Sequence, residues 1–314
     1  MQENFYSNQN FTDFDEFSAS LRHWNITITQ LQTGKFSNVL KQLSTDNIQL
    51  TFGSFGGVTQ QVGVPPPGKT FVLLADPSTQ LVWRKKKVQD NSLLILPNKS
   101  ELDVLTRGEQ NSVFTITFAE DMLGSQFTER EYDTYQQLSG RDLLGLSDSH
   151  IKMLRKHFQR YFQTIEGDPE LLSSHFFQKA IEDELLSIIR NAFLSADDSS
   201  RQMSSTSSLK TWLNIENFIE NSTDRAIKVG ELCKEAAVSE RTLLRLFHER
   251  FGMSPKTYLT WNLFSRVRRE LKKYEEGSVK ISDIANAFGF WHMGQFAADY
   301  RRLFDELPSE TLNK

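Results

Sequence analysis

Residues 229–247 read Val229-Gly-Glu-Leu-Cys-Lys-Glu-Ala-Ala-Val-Ser-Glu-Arg-Thr-Leu-Leu-Arg-Leu-Phe247. Apolar residues recur at helical spacing on both sides of a small turn, and Ser239 is a favourable N-cap for the second of the two helices. A short helix, a tight turn and a second helix that presents its first residues outward can enter a major groove of DNA. The segment therefore predicts a helix-turn-helix unit.

A second segment repeats this pattern between residues 281 and 304. It reads Ile281-Ser-Asp-Ile-Ala-Asn-Ala-Phe-Gly-Phe290 and continues Trp291-His-Met-Gly-Gln-Phe-Ala-Ala-Asp-Tyr-Arg-Arg-Leu-Phe304. Gly289 falls where a left-handed turn residue is needed. Two such units in tandem predict sequence-specific DNA binding by an all-α C-terminal domain.

A single long helix from Pro255 to Lys273 is predicted between the two units, because its apolar residues form one stripe. Proline at the first position of a helix loses no hydrogen bond. About nineteen residues span roughly 28 Å, and successive major grooves on one face of DNA are about 34 Å apart. The helix is thus long enough to hold the two units in successive grooves.

The last hundred residues resemble the AraC/XylS family of bacterial transcription regulators. The matching positions are Ala236-Ala-Val-Ser239, Phe251-Gly-Met-Ser-Pro255, Ile281-x-x-Ile-Ala285 and Gly289-Phe290, followed by Phe296, Phe304 and Pro308. Three residues depart from the family pattern: Cys233 replaces a small alanine, Ala237 a turn glycine, and Asp305 a glycine at the end of the last helix. Aspartate tolerates the left-handed conformation, so these departures bear on local stability.

The helical wheel and this resemblance together select the candidate DNA-binding residues. In the first unit they are Ser239, Arg241, Thr242, Leu244 and Arg245. In the second unit they are Trp291, His292, Met293, Gly294, Gln295, Ala298, Arg301 and Arg302. Arginine pairs with guanine, glutamine with adenine, and methionine offers apolar contact to a thymine methyl group. Residues 291, 292, 301 and 302 are expected on the DNA backbone, although Trp291 also suits packing at the helix start.

The net charge of the chain is −4, and residues 209–314 carry 17 Lys and Arg against 15 Asp and Glu. A DNA-binding surface must therefore come from clustering of the cations. The arginines expected along one side are Arg241, Arg245, Arg266, Arg268, Arg269, Arg301 and Arg302.

The chain as a whole is predicted to be a cytoplasmic α+β protein. It is expected to have two domains, since 314 residues suffice for two hydrophobic cores. One cysteine fits a reducing compartment. No signal peptide and no apolar run of membrane-spanning length is visible. Because His and Cys do not cluster at ligand spacing, we expect neither a metal site nor a cofactor.

The N-terminal half is predicted to be a β-rich barrel or double-sheet roll over about residues 20–120, because short β segments alternate with turn residues. Apolar stripes predict helices from Ser149 to Ile165 and from Pro169 to Leu194. Residues 1–194 would form an effector-binding or dimerisation domain. The Ser-rich residues 195–208 would form a linker, and residues 209–314 the DNA-binding domain.

The sequence does not determine what the apolar stripes of the two predicted helices, within residues 149–194, pack against. The stripes either cover the barrel or pair with the same helices of a second subunit. A homodimer would suit a regulator that binds a two-part DNA site.

The layout also resembles the sensor halves of the same family, with short segments similar to regulators of ethanolamine catabolism. That resemblance implies a small-molecule effector and RNA polymerase as partners beside double-stranded DNA. Its pocket would be lined by aromatic residues, each also suited to a core: Phe52, Phe71, Trp83, Phe114 and Phe118. Two alternatives stay open: a regulator whose N-terminal domain only dimerises or binds a protein, and a barrel enzyme tethered to DNA.

Overall fold

The computed structural model describes residues 4–66, 68–83, 86–96, 101–196, 207–222 and 226–313. The chain divides into two compact units. The first unit contains Met1–Ile28, Phe36–Gly56 and Gln61–Met203. The second contains Thr29–Lys35, Gly57–Gln60 and Ser204–Lys314. Two short stretches from the β-rich half of the sequence therefore group with the C-terminal helices.

The β-strands lie in the N-terminal half of the chain. They are β1 (Phe5–Phe11), β2 (Asn25–Gln30), β3 (Asn38–Ser44), β4 (Ile48–Gly56), β5 (Thr59–Val64), β6 (Lys69–Ala75), β7 (Gln80–Trp83), β8 (Lys86–Lys87), β9 (Ser92–Leu96), β10 (Leu102–Arg107), β11 (Gln110–Ala119) and β12 (Leu143–Gly145). Over the described residues, one sheet has the order β1-β3-β4-β11-β6-β9-β12 and the other β2-β5-β10-β7-β8. Neighbouring strands such as β4 and β11 pair antiparallel, so the predicted double-sheet roll and the α+β class are confirmed.

The helices mostly follow the strands along the chain. They are α1 (Phe14–Ala19), α2 (Glu120–Gly124), α3 (Glu129–Ser139), α4 (Asp148–Gly167), α5 (His175–Leu194), α6 (Ser207–Asn221), α7 (Val229–Glu235), α8 (Glu240–Phe251), α9 (Pro255–Leu271), α10 (Ile281–Ala287), α11 (Met293–Phe304) and α12 (Pro308–Leu312). The exceptions are α1, which lies between β1 and β2, and α2 and α3, which lie between β11 and β12. The C-terminal domain is all-α, as predicted.

The apolar stripes of α4 and α5 pack inside the first unit. The ring of Phe114 on β11 lies 5.8 Å from that of Phe158 and 6.4 Å from that of Phe162, both on α4. Ile189 and Phe193 of α5 belong to the same core and are almost fully buried. The stripes therefore cover the larger sheet. Phe176 and Ala180 of the predicted stripe are exceptions, because both are exposed, Phe176 over 84% of its surface.

Several element boundaries differ from those predicted. The second predicted helix begins as a short 3-10 turn over Pro169–Ser173, and α5 starts only after Ser174, whose hydroxyl caps it. The strands β1 and β12 and the helices α1, α2, α3, α6 and α12 were not predicted. Of the predicted linker, residues 197–206 lie outside the described residues, and α6 takes in Ser207 and Ser208.

Candidate nucleic-acid interface

The first helix-turn-helix unit consists of α7, a tight turn and α8. The turn closes through a hydrogen bond from the N–H of Val238 to the carbonyl of Cys233, 3.0 Å long, and Ala237 has a φ of +50°. The Ser239 hydroxyl caps α8 by accepting from the N–H of Thr242 at 3.2 Å. Alanine thus occupies the left-handed position that glycine favours.

The second unit repeats this geometry with different residues. The N–H of Phe290 donates to the carbonyl of Ala285 at 2.9 Å, and Gly289 has a φ of +86°. The helix α11 has 12 residues, as α8 has. Both helices end on a left-handed residue, Gly252 after α8 and Asp305 after α11. The conformations expected for Gly289 and Asp305 are confirmed, and the two units are structural repeats.

Each second helix buries one side and exposes the other. In α8, Leu243, Leu246 and Phe247 are buried. Its outward residues Arg241, Leu244 and Arg245 are exposed. Thr242, between the cap and the core, is half-buried.

The helix α11 has the same division. Phe296, Tyr300 and Leu303 are buried. The predicted contacts His292, Gly294, Gln295, Ala298, Arg301 and Arg302 are exposed, and Met293 is half-buried. Trp291 is 72% exposed, which speaks against the packing alternative.

The helix α9 connects the two helix-turn-helix units, and stacked aromatic rings anchor it near its start and in its middle. At its start, the ring of Tyr258 stacks on that of Phe251 at 4.4 Å. Farther along, the ring of Phe264 stacks on that of Phe290 at 4.7 Å. The helix has 17 residues and ends at Leu271, two residues before the predicted end. Its length is about 25 Å at 1.5 Å per residue.

Two arginines that were expected on the DNA-facing side hold the domain together instead. Arg266 donates to the carbonyls of Ser222 at 3.0 Å and Ile219 at 2.7 Å, near the end of α6. Arg268 is buried and donates from two nitrogens to one carboxylate oxygen of Glu306, at 2.8 and 2.6 Å. The expectation of seven clustered cations is therefore wrong for these two, because a buried carboxylate and orphan helix carbonyls recruit them.

The remaining outward cations differ in their local partners. Arg245 pairs with Glu249 one helical turn away at 3.0 Å. Arg302 pairs with Asp299 at 3.0 Å, and the Gln295 amide donates to the same carboxylate at 2.8 Å. Sequence reasoning overlooked these two acidic residues, although i,i+3 and i,i+4 spacing from the predicted contacts is visible in the sequence.

The aromatic residues proposed for an effector pocket do not come together around one space. The rings of Phe52 and Phe114 are in tilted contact at 4.9 Å, and Phe114 lies in the core beneath α4 together with Phe118. Trp83 belongs to a different core, which also contains Phe17 and Phe55. The side chain of Phe71 lies outside what the structure describes.

A small hollow does exist within the first unit, beside these cores. Its volume is about 40 Å³, and its wall includes Trp24, Thr51, Phe55, Gln61 and Thr115. The Thr51 hydroxyl is buried and makes no hydrogen bond to the described part of the chain. A water molecule takes about 30 Å³, whereas ligand pockets measure about 300–1,000 Å³. A metabolite fits this hollow only if the surrounding walls move apart.

Among the described residues, no group of three or more His, Cys, Asp or Glu is placed to hold a metal ion. No helix in the described ranges is both long enough and apolar enough to span a bilayer.

Comparison with known proteins finds similarity in the C-terminal third. Residues 232–314 match the family described as a helix-turn-helix domain. Over 100 residues the chain is 36% identical to the XylDLEGF operon transcriptional activator of Pseudomonas putida, which covers 32% of this chain and 31% of that protein. Over 99 residues it is 34% identical to the XylDLEGF operon transcriptional activator 2 of the same species, covering 32% of this chain and 63% of that protein. The chain thus spans less than two thirds of either relative.

Among solved structures, the AraC-like transcriptional activator CuxR is similar over 90% of this chain and 99% of that chain. The sequence identity is 11% and the TM-score is 0.44.

Proposed function

We propose that this chain, whose C-terminal residues form a helix-turn-helix domain of the AraC/XylS type, is a sequence-specific DNA-binding transcription regulator. The observation that carries the proposal is the structural repeat. Two units with the same turn geometry and the same 12-residue second helix both leave their outward residues exposed. Each second helix would lie in a major groove, and α9 would hold the two at a fixed distance.

The two reading helices would recognise bases with different chemistry. In α8, Arg241 and Arg245 would each pair with a guanine, while Leu244 would contact a thymine methyl group. In α11, Gln295 would pair with an adenine beside the small residues Gly294 and Ala298. Met293 is half-buried, so its contribution would be apolar. We expect α8 to supply more of the discrimination between bases, because it has more hydrogen-bonding groups.

The other candidates would position the domain on the phosphates. Ser239 and Thr242 stand at the N-terminus of α8, where backbone N–H groups and the helix dipole attract anions. Trp291 and His292 hold the matching place before α11, and both are exposed. Arg301 and Arg302 lie farther along α11. Such contacts fix the register of the protein on DNA but carry no sequence information themselves.

Two substitutions test these roles. DNA fragments that bind the full-length chain are first selected from genomic DNA, and their affinities are then measured by fluorescence anisotropy over a range of salt concentrations. Arg245→Ala should relax preference at one base pair, a loss of about 1–3 kcal/mol against the best sequence. Arg301→Ala should weaken binding to every sequence and lower the salt dependence by about one unit of slope.

Arg130→Ala, on the exposed surface of α3, is the matched control and should change neither quantity. Unchanged binding by both Arg245→Ala and Arg301→Ala would disprove the assignment of the reading helices. Failure of the wild-type chain to enrich any fragment would disprove the proposed function itself.

The first compact unit would have the regulatory role. In the cytoplasm, this unit would bind a small molecule, form a homodimer, or both, and it would so change how often the DNA-binding domain occupies a promoter. Activation through RNA polymerase is the proposed outcome, by similarity to relatives that are named activators. The hollow beside Thr51 supports a site that opens as the ligand enters. The exposed Phe176 supports a protein contact at the start of α5.

Thermal-shift measurements with a panel of metabolites separate these alternatives. A true effector raises the melting temperature in proportion to its occupancy, and Thr51→Val should remove that rise while the unliganded protein still folds. If no metabolite shifts the melting temperature, the regulator that only dimerises or binds a protein is favoured. Turnover of any candidate substrate by the full chain would favour the tethered enzyme.

A further inference from the structure

Two short stretches from the β-rich half of the sequence belong to the second unit, and they are joined to each other. The stretches are residues 29–35, at the end of β2, and residues 57–60, at the start of β5. The N–H of Leu31 donates to the carbonyl of Val58 at 2.8 Å. In return, the N–H of Val58 donates to the Gln32 side chain at 3.1 Å. We refer to residues 29–35 and 57–60 together as the clamp.

One end of the clamp is bonded to α6 and to α9, the helix that connects the two helix-turn-helix units. The hydroxyl of Tyr258, in the first turns of α9, donates to the side-chain oxygen of Gln60 at 2.7 Å. The amide nitrogen of Gln60 donates to Glu216 of α6 at 3.2 Å. Gln60 and Tyr258 are both buried. Because a buried amide is costly unless both of its ends are bonded, this arrangement has a defined geometry.

The other end of the clamp holds the last turn of the second reading helix. The Gly34 N–H donates to the carbonyl of Leu303 in α11 at 3.1 Å. The buried amide nitrogen of Gln30 lies 2.9 Å from the same oxygen and 2.7 Å from the carbonyl oxygens of Gln32 and Gly34, so its two hydrogens are shared. The last four carbonyls of a helix have no partner within it. The clamp therefore supplies donors that α11 lacks.

The clamp holds α11 without covering its reading surface. Gly294, Gln295 and Ala298 are exposed although the clamp is bonded to the same helix. Arg301 and Arg302 are also exposed, and they border an open hollow together with Thr33 and Gly34. DNA and the clamp can therefore be bound to α11 at the same time.

We propose that the clamp fixes the separation of the two reading helices and thereby sets which spacing of half-sites the regulator accepts. This inference rests on the proposed DNA-binding function. With α9 alone, the two units are joined by one helix and its flanking turns. The clamp adds a second connection in parallel. It runs from Tyr258 of α9, whose ring packs on Phe247 and Phe251 of α8, to Leu303 of α11. Residues 28 and 36 connect the clamp to the first compact unit. A conformational change in that compact unit would therefore reach both reading helices through the clamp.

The test uses two conservative substitutions in the full-length chain. Gln30→Met keeps the shape of the side chain but removes its donors to Leu303, and Tyr258→Phe removes only the hydroxyl that reaches Gln60. Gln9→Met on the exposed part of β1 and Tyr274→Phe after α9 are the matched controls. Affinity is measured for a selected DNA fragment and for derivatives with one base pair inserted or deleted between the half-sites.

We expect each clamp variant to lose roughly two- to tenfold of the preference for the selected spacing, the range set by the net worth of one hydrogen bond. Affinity for unrelated DNA should stay the same, and the controls should match the wild type. Unchanged spacing preference in both clamp variants overturns the proposal. Should Gln30→Met fail to fold, Tyr258→Phe still decides, because the aromatic stacking remains.

Amide hydrogen exchange without DNA tests the clamp independently of DNA binding. In the wild type, the Gly34 amide should exchange slowly because it is bonded to Leu303. In Gln30→Met, the Gly34 amide and residues 301–307 should exchange faster. Exchange at Gly34 as fast as in an unstructured peptide overturns the clamp, even if DNA binding is intact. Conversely, slow exchange at Gly34 without sequence-specific DNA binding would uphold the clamp contacts and contradict the proposed function.

Discussion

At the scale of single residues, the reading surface of α11 contains an acidic group that works against its proposed role. Asp299 bonds to Gln295 at 2.8 Å and to Arg302 at 3.0 Å. In free protein it holds both proposed DNA contacts in place. Near DNA, however, the phosphates repel the negative charge of Asp299. Gln295 and Arg302 must also break their bonds to Asp299 before they can bind DNA.

We therefore expect Asp299→Asn to raise affinity for all DNA sequences, by up to about fivefold at low salt, since exposed charges contribute about 0.2–1 kcal/mol each. Asp183→Asn on α5 is a matched control, because Asp183 also pairs with a cation one helical turn away, Lys179. Anisotropy titrations at several salt concentrations check the prediction. Equal or weaker binding by Asp299→Asn would mean that this side of α11 does not approach phosphates.

The burial and the partners of individual arginines were only partly predictable from sequence. Apolar periodicity identified the outward faces of α8 and α11, because each face is determined within one helix. It did not identify Arg268 as a buried partner of Glu306, since that pair joins α9 to the bend between α11 and α12. The resemblance to sensor halves implied one pocket that includes Phe114 and Trp83, whereas the structure places them in two separate cores.

At the scale of elements, the turn of the first helix-turn-helix unit has alanine where the family pattern has glycine, and this replacement should lower the stability of the fold. Ala237 has a φ of +50°, where a Cβ atom is unfavourable by roughly 1 kcal/mol. Ala237→Gly should leave the free energy of unfolding unchanged or raise it by at most about 1 kcal/mol, because the greater flexibility of unfolded glycine offsets part of the gain. Ala237→Val should lower it by about 1–2 kcal/mol, because a β-branched residue is worse there.

Ala297→Gly, inside α11, gives the opposite sign and serves as the control, with an expected loss of about 1 kcal/mol. Urea unfolding of the full-length variants provides the comparison. Destabilisation by Ala237→Gly comparable to that of Ala297→Gly would show that residue 237 is not left-handed in solution.

The carboxylate of Glu131 links helices α3 and α5, and its pKa is lowered. The backbone N–H of Thr128, then the Arg190 guanidinium, and then the Thr128 hydroxyl lower the pKa of Glu131 from 4.5 to about 2. Because the folded pKa lies below the unfolded one, this contribution to stability is complete above pH 4.5. It is lost as the pH falls toward 2.

We accordingly predict that the melting temperature of the wild type falls more steeply between pH 4.5 and 2 than that of Glu131→Gln, which cannot titrate there. Circular dichroism melts of both proteins in matched buffers measure this difference. Parallel pH profiles of the two proteins would contradict the assigned role of Glu131.

The sequence predicted the helices and strands that have a clear apolar periodicity and missed those that do not. The helices α7 to α11 and the stripes of α4 and α5 were predicted because each has a buried face. The strand β1 was missed, since none of its residues is fully buried and no apolar alternation marks it. The helix α3 was missed because its sequence, EREYDTYQQLS, is mostly polar. Its start depends on the capping box between Thr128 and Glu131.

At the scale of the whole molecule, the division of the chain into two units was not predictable in detail. Composition located a boundary in the Ser-rich segment, but nothing in the local sequence shows that residues 29–35 and 57–60 group with the C-terminal helices. Their contacts run from Gln30 and Gly34 to Leu303, across most of the chain. Such long-range hydrogen bonds leave no periodic signal.

In the proposed regulator, the two reading helices enter successive major grooves on one face of a duplex. Hydroxyl-radical footprinting of the full-length chain on a selected DNA fragment measures this insertion. We expect two protected patches on the same face, about 10 base pairs apart, and loss of one patch when about five base pairs are inserted between them. A single patch, or two patches that persist after the half-turn insertion, would show that the helices do not bind in this way.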